Sequence, residues 1–210
     1  MSARIDKVVV SGVFSLDGQD FDVDNNVWLV GDDDEVLVID APHDAAPIVA
    51  AIGGRRVTAI VLTHGHNDHI TAAPALREAT GAPIWFNPAD RMLWDMTHGG
   101  GGGDAGRAAA PDHDLAAGTR FTVAGTTLTA LHTPGHSPGS TCLHAADLTT
   151  VFTGDTLFCG GPGATGRSFS DHPTILNSIR SELFSLHGDT VVKTGHGDDT
   201  TIAAELRNLG

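Results

Sequence analysis

Tyrosine is absent from the 210 residues, and cysteine occurs only twice. No phenol therefore enters the assignment of chemical roles. Two cysteines, Cys142 and Cys159, are too few for a disulfide framework, and both are read as thiols of a reducing compartment that simply pack. Basic residues are scarce too: 12 Lys and Arg stand against 26 Asp and Glu, a formal charge of -14, with no basic cluster. Nucleic acid or an anionic membrane is thus a poor partner, and a small-molecule substrate is expected. No apolar run approaches the roughly 18 residues of a membrane span, and the first residues hold "VVV" but no stretch of signal-peptide length. These features give a cytoplasmic location as the expectation and leave oligomeric state open. No linker-like stretch divides the chain, so residues 1–210 read as a single domain.

What is present alternates between strand-like and helix-like stretches. "KVVVSGVF", "NVWLV" and "EVLVID" read as strands, the last two joined by the turn "GDDDE", ahead of a helix around Ala45–Ile52. "VTAIVLT" is apolar on both faces, as in a buried central strand. "ITAAPALREAT" reads as a helix stopped by Gly81 and Pro83, "PIWF" as a strand and Pro88–Met96 as a short helix. From His98 to Asp114, "HGGGGGDAGRAAAPDHD" reads as a flexible loop, either a solvated insertion or a flap over a site. The second half repeats the plan, with strands at "RFTVAG", "TTLTALH", "STCLHAA", "TTVFTG" and "TVVKTG" and helices at "DHPTILNSIRSELFSLHG" and "TIAAELRNL". Two such halves predict two packed sheets with helices outside.

Histidine is abundant, at 12 residues. "THGHNDH", Thr63 to His69, places three histidines and Asp68 directly after an apolar strand. A loop there lets His64 and His66 project together while Asp68 and His69 turn toward a neighbouring point, so one segment can feed two metal centres. Imidazole and carboxylate are the usual zinc ligands. A polar turn with Asp68 as a helix cap is the plain alternative. "HTPGHSPGS" then sets His136 in a Pro/Gly turn, "FTGDTLF" sets Asp155 after a strand, and "KTGHGDD" ends a strand with His196 between glycines that leave space for a ligand sphere. Each alone reads as a loop residue or cap. Recurrence at four strand ends, which gather at one sheet edge, predicts a single cleft.

In this order the four motifs resemble the metallo-β-lactamase superfamily over essentially the whole chain. The resemblance implies an α/β fold, an αββα sandwich of two mixed sheets flanked by helices, with a dinuclear metal site at one edge. Two Zn²⁺ ions are implied, with iron at one or both positions as the alternative. His64, His66 and His136 would hold one metal, Asp68, His69 and His196 the other, and Asp155 would bridge them. Asp40, in "VLVIDAP", would orient a ligand imidazole; its plain reading is a strand-end turn. Hydroxide activated by the metals would attack a carbonyl, with Asp68 orienting it and accepting a proton, so the reaction class is hydrolysis. His132, His144 and His187 match no ligand position and read as packing or surface residues. His43, His98, His113 and His172 lie in loops, and any of them could face the cleft.

An aspartate at the bridging place and the run "TGDTLFCGGPGATGR" resemble the glyoxalase II branch, which cleaves thioesters of small thiols. The commonest zinc lactamases carry cysteine there. Glyoxalase II enzymes add a C-terminal helical extension that grips glutathione, whereas this sequence reaches Gly210 soon after His196, so a different thiol is expected. The Ala/Gly/Asp-rich composition resembles high-GC actinobacterial proteins and points to an acyl-mycothiol. Arg167, in the glycine-rich loop, is a candidate substrate contact, its plain reading being an exposed surface arginine. The missing tyrosine argues against the superfamily's lactonases, which use one beside the metals. The alternatives are a mononuclear-iron persulfide dioxygenase, a lactone or β-lactam hydrolase, and a closed metal-stabilised binding module.

Overall fold

A computed structural model of the chain describes residues 2–99 and 110–209. Strands β1 (Arg4–Leu16) and β2 (Gln19–Gly31) pair antiparallel along their full length. Asp17 and Gly18 both have positive φ, 53° and 72°, as a two-residue type I′ turn requires. This hairpin is longer than the runs "KVVVSGVF" and "NVWLV" predict. Its outer half, Gln19–Asp24, is mostly exposed and acidic, and its short alternation of Phe21 and Val23 with aspartates is not read as strand.

The first sheet continues through β3 (Glu35–Ile39), β4 (Arg56–Val61), β5 (Ile84–Phe86) and β6 (His113–Asp114), in chain order and parallel from β3 onward. Between these strands lie α1 (Ala45–Ile52), α2 (Asn67–Ile70), α3 (Ala73–Thr80) and α4 (Arg91–His98). The second sheet comprises β7 (Arg120–Val123), β8 (Thr126–His132), β9 (Thr141–Ala145) and β10 (Thr150–Gly154). After a small hairpin, β11 (Leu157–Phe158) and β12 (Gly161–Pro162), comes α5 (His172–Ser178). Strand β13 (Val191–Thr194) pairs parallel with β10, β14 (Thr200–Thr201) forms the edge, and α6 (Ile202–Leu209) follows.

Alternating side chains give the sandwich three apolar layers. Trp28, Val30, Leu37, Ile39 and Val61 pack against Leu128, Ala130, Leu143 and Phe152 between the sheets. Their neighbours Val27, Leu29, Val36, Val38 and Ile60 meet Ile48 of α1, Leu76 of α3 and Trp94 of α4. On the other side Cys142, Val151 and Val192 meet Ile175, Ile179, Leu183 and Ile202. The order is αββα. Each fully buried aliphatic or aromatic side chain contributes about 1.5–3 kcal/mol, and a one-residue slip would send a strand's apolar set to the wrong layer. Register is held accordingly.

Several expectations need correction. The helix read at "ITAAPALREAT" is two, α2 and α3, broken at Thr71–Ala72 where Pro74 enters the first turn of the second. The helix after Pro173 loosens into a π-turn over Ile179–Leu183. The expected 98–114 loop is ordered at both ends: His98 closes α4, and His113–Asp114 pair with β5. Residues 100–109, on which the flap reading falls, lie outside the described residues. Cys142 is buried as expected, but Cys159 is exposed on the β11–β12 turn. Among the described residues no helix is long and apolar enough to cross a membrane.

Candidate metal centre

Parallel strands deliver their C-terminal ends to one edge of a sheet. Here β3 leads into Asp40, β4 into Thr63–His69, β10 into Asp155 and β13 into His196, while the β8–β9 loop supplies His136. All seven predicted ligands meet at this edge. The donor atoms fall into overlapping groups, His64/His66/His136, Asp68/His69/His196 and His64/His69/Asp155, each within 4.8 Å.

In the first group His66 Nδ1 lies 3.0 Å from His64 Nε2 and 2.9 Å from His136 Nε2. The second nitrogen of each neighbour is committed: His64 Nδ1–H donates to Thr63 Oγ1 (3.2 Å) and His136 Nδ1–H to the Ala164 carbonyl (2.9 Å). With those tautomers, both Nε2 atoms present lone pairs to His66. Burial holds His64 well below its ordinary pKa and pushes His66 down to about 3, so both rings are neutral, as metal ligands must be.

The second group carries the negative charge. His69 Nε2 and His196 Nε2 are 3.2 Å apart, and Asp68 Oδ2 lies 3.6 and 3.3 Å from them. His69 Nδ1–H donates to Asp40 (2.8 Å), whose carboxylate also accepts from the Thr63 amide and hydroxyl. His196 Nδ1–H donates to the Asp24 carbonyl (2.8 Å). Asp155 Oδ2 is 3.5 Å from both His136 Nε2 and His196 Nε2, and so links the two groups. Gly195 makes room for it: a Cβ there would sit 2.2 Å from Asp155 Oδ1.

Electrostatics in the second group point to a cation. Burial works against charge, yet the carboxylates of Asp155, Asp68 and Asp40 raise His69 well above its usual range, and Asp155 leads in lifting His196 to about 10. Burial likewise opposes ionisation of Asp68, but His69 and hydrogen bonds from His196 and Asn25 hold it at about 2. Asp155 lies well below the usual range: His69 and His196 outweigh burial. Asp68 Oδ1 and Asp155 Oδ1 are buried without a hydrogen-bond partner among the described residues. Donors of a tetrahedral zinc stand about 3.3 Å apart, and the two triads have close to that spacing. The residues fit a pair of metal ions, and the cluster is a metal-binding one.

Arg167 sits elsewhere. Its guanidinium lies 4.7 Å from the Phe21 ring and donates to Gln19 (3.0 Å), which ties the glycine-rich loop to the hairpin tip. Of the loop histidines, His43 approaches the centre, through Asn25 (2.8 Å). His98 contacts the Ile70 carbonyl and Trp94, His113 stacks on Trp85, and His172 lies beside Thr165. His132 and His187 are exposed and His144 half-buried.

Two supporting residues escaped the sequence reading. Asn25 contacts three ligands of the second group. Asp90, fully buried, accepts from Gly65 N (2.8 Å), Ser137 Oγ (2.6 Å) and Gly139 N (2.6 Å), joining the two segments that carry His64, His66 and His136. The only hint of Asn25 was a pair of amides in front of the apolar run "VWLV". Asp90 looks like an ordinary helix-start acid.

Comparison with known proteins agrees with this geometry. The family model described as "Metallo-beta-lactamase superfamily" matches residues 21–196. Hydroxyacylglutathione hydrolase GloC of Haemophilus influenzae is 32% identical over 195 residues, 87% of this chain and 90% of that protein. Among solved structures, the BLEG-1 B3 metallo-beta-lactamase superposes with a TM-score of 0.78 at 31% identity, covering 94% of this chain and 97% of that one. A di-iron-bound form of TTHA1623 gives 0.76 at 31% identity, with 89% and 94% covered.

Proposed function

The chain belongs to the metallo-β-lactamase superfamily, and from that premise we propose that it is a dinuclear metallo-hydrolase that cleaves thioesters of a small thiol. The observation that carries the reading is Asp155: a carboxylate 3.5 Å from an imidazole of each triad makes one centre of two. The relative named hydroxyacylglutathione hydrolase supports the thioester class.

When bound, a pair of divalent cations supplies a nucleophile from water near neutral pH and an electrophile for a carbonyl oxygen. His64, His66 and His136 would hold one cation and Asp68, His69 and His196 the other, with Asp155 shared. Asp68 has a second task. Its Oδ2 faces His196 and Asn25 while its buried Oδ1 has no partner among the described residues, so Oδ1 is the acceptor that orients the attacking water and takes up its proton. Asp40 fixes the His69 ring by accepting from Nδ1.

The leaving group favours a thioester. Free thiols ionise near pH 8.5, so a thiolate departs without a proton, whereas an amide nitrogen needs an acid. A cavity of about 310 Å³ opens beside His66, lined by Ser15, Leu16, Asn67, Leu93 and Met96; that is room for a small acyl or thiol arm. Acyl-mycothiol remains the proposed ester, and zinc the proposed metal.

The test is a substrate panel of acyl-thiols, lactones and β-lactams, with zinc-loaded, iron-loaded and metal-free protein, in air and without oxygen. Thioester cleavage that needs metal and ignores oxygen is the expected result. Turnover confined to β-lactams would favour the second reading, which the likeness to BLEG-1 supports. Oxygen-dependent persulfide consumption with no hydrolysis would overturn both.

A further inference from the structure

The second triad has a fourth corner. Asn25 lies on β2 where the hairpin passes from its exposed half into the sandwich, and it is fully buried. Its amide nitrogen is 3.0 Å from Asp68 Oδ2, 3.2 Å from His69 Nε2 and 3.4 Å from His196 Nε2. Those three atoms are themselves 3.2, 3.3 and 3.6 Å apart. Six separations so alike surround a point about 2.0 Å from each corner, the length of zinc bonds to imidazole and carboxylate, and Asp155, whose Oδ1 is 3.3 Å from His69 Nε2, and a water would add to this set rather than be displaced by it. We propose that Asn25 is a direct ligand of the second metal, through its side-chain oxygen.

With the amide nitrogen at that corner, its N–H bonds meet one carboxylate oxygen, Asp68 Oδ2, and two imidazole nitrogens. A cation at the centre repels the NH₂ end and attracts the carbonyl oxygen. The two ends of an amide have nearly the same shape, so a half-turn about the Cβ–Cγ bond exchanges them without moving the backbone. The other end meets His43 Nε2 at 2.8 Å. A neutral imidazole donates from one nitrogen and accepts at the other, so His43 serves the amide either way round. It donates to the oxygen in the metal-free protein and accepts from the NH₂ once the oxygen has turned to the metal.

The chain commits two further positions to this ring. His43 has φ +47°, a left-handed conformation that a residue with a Cβ rarely adopts. Opposite it, a Cβ at Gly12 would stand 2.2 Å from His43 Nδ1, so only glycine leaves the ring its place. A strained histidine behind a buried amide that faces the triad is what a fourth ligand with a positioning partner requires.

The inference rests on the dinuclear reading above, and one experiment separates the two. Zinc is titrated into wild-type protein, Asn25→Ala and Asn25→Asp, with stoichiometry read by elemental analysis after graded chelation, and zinc-loaded wild-type crystals are solved. Wild type should bind two ions. Asn25→Ala should keep the first and bind the second at least about tenfold more weakly. Asn25→Asp should hold both at least as firmly as wild type, because a carboxylate oxygen fills the same corner. In the crystal the Asn25 oxygen should lie within about 2.4 Å of the metal, as a coordinated oxygen does. A longer separation with the amide nitrogen on Asp68, or a second ion bound equally well by Asn25→Ala or lost from Asn25→Asp, overturns this ligand alone. Wild type that takes up fewer than two ions overturns the dinuclear reading and this inference with it.

Discussion

Replacing Asp90 with alanine should damage the protein more than any comparable change outside the ligands. The side chain is fully buried and accepts three hydrogen bonds, two of them from backbone amides in different loops. Alanine leaves Ser137 Oγ with Ser140 Oγ as an alternative partner, 2.8 Å away, but strands the Gly65 and Gly139 amides in the interior. An orphaned buried donor costs about 1–3 kcal/mol, so the pair comes to about 2–6 kcal/mol, against a typical total stability of about 5–15 kcal/mol. For a chain of this length that lowers Tm by roughly 5–20 °C. Asp90→Asn should cost about half as much, since an amide oxygen at the Oδ2 position keeps Gly65 and Ser137 and only Gly139 faces an NH₂. The loops concerned carry His64, His66 and His136, so first-metal affinity should also fall, by about 10–100-fold. Thermal unfolding of the metal-free proteins and zinc titration of the folded ones measure both effects. Asp90→Ala within about 1 kcal/mol of wild type would refute the argument, because two unpaired buried amides cannot be that cheap.

Asp68→Asn should leave the fold intact and slow thioester cleavage at least about a hundredfold, the scale of a lost general base; near-normal turnover with full metal content would remove Asp68 from that role. His136→Ala should deplete the metal held with His64 and His66 while sparing the Asp68 triad, and a survival of both metals and rate would undo the ligand assignment. The metal-free protein should lose stability as pH rises. His69 and His196 bind a proton more tightly folded than unfolded, His196 up to about 10, so their contribution is complete below about pH 6.5 and is lost as pH climbs toward 10. Calorimetry from pH 6 to 10 checks this, and a stability that rises over the window would contradict it. Bound metal replaces those protons, so the loaded protein should lack the slope.

The clustering of the candidate ligands was legible because each stands at the end of a recognisable strand and four of them share one seven-residue stretch. The helices from Ala45 and Ile202 were legible for a similar reason: a continuous pattern with clear ends. The hairpin's outer half was not read, although Phe21 and Val23 alternate with Asp20, Asp22 and Asp24, because Gln19–Asp24 lies outside the apolar layers and two apolar residues among acids make a weak strand pattern. The supports failed to show for a different reason. Asn25 acts on Asp68, 43 positions away, and Asp90 on Gly139, 49 positions away. A single amide in a strand, or an acid before a helix, carries no local sign of a partner so distant. Asn25 did leave one trace: amides are disfavoured in strands, and a buried one needs a partner.

The supports also explain how one edge of a sandwich can present imidazoles in a fixed protonation state. Four of the five ligand rings have their outer nitrogen bound to an acceptor that differs in kind: a hydroxyl at His64, a carboxylate at His69, and backbone carbonyls at His136 and His196. Each bond sets the tautomer and turns the inner lone pair to the centre. The acceptors are not equivalent. A carboxylate at His69 makes that ring the more basic ligand, on the side where Asp68 and Asp155 already concentrate negative charge. His66 is the exception: its Nε2 is buried without a partner among the described residues, its ring leans on Phe14 at 5.2 Å, and the cavity beside the centre opens along it. With Nδ1 turned to a metal, Nε2 would carry the proton and be a buried donor with no acceptor, which costs about 1–3 kcal/mol. The centre is therefore asymmetric by construction, with its charge gathered around Asp68 and Asp155 and the ring that lacks an outer partner lining the cavity.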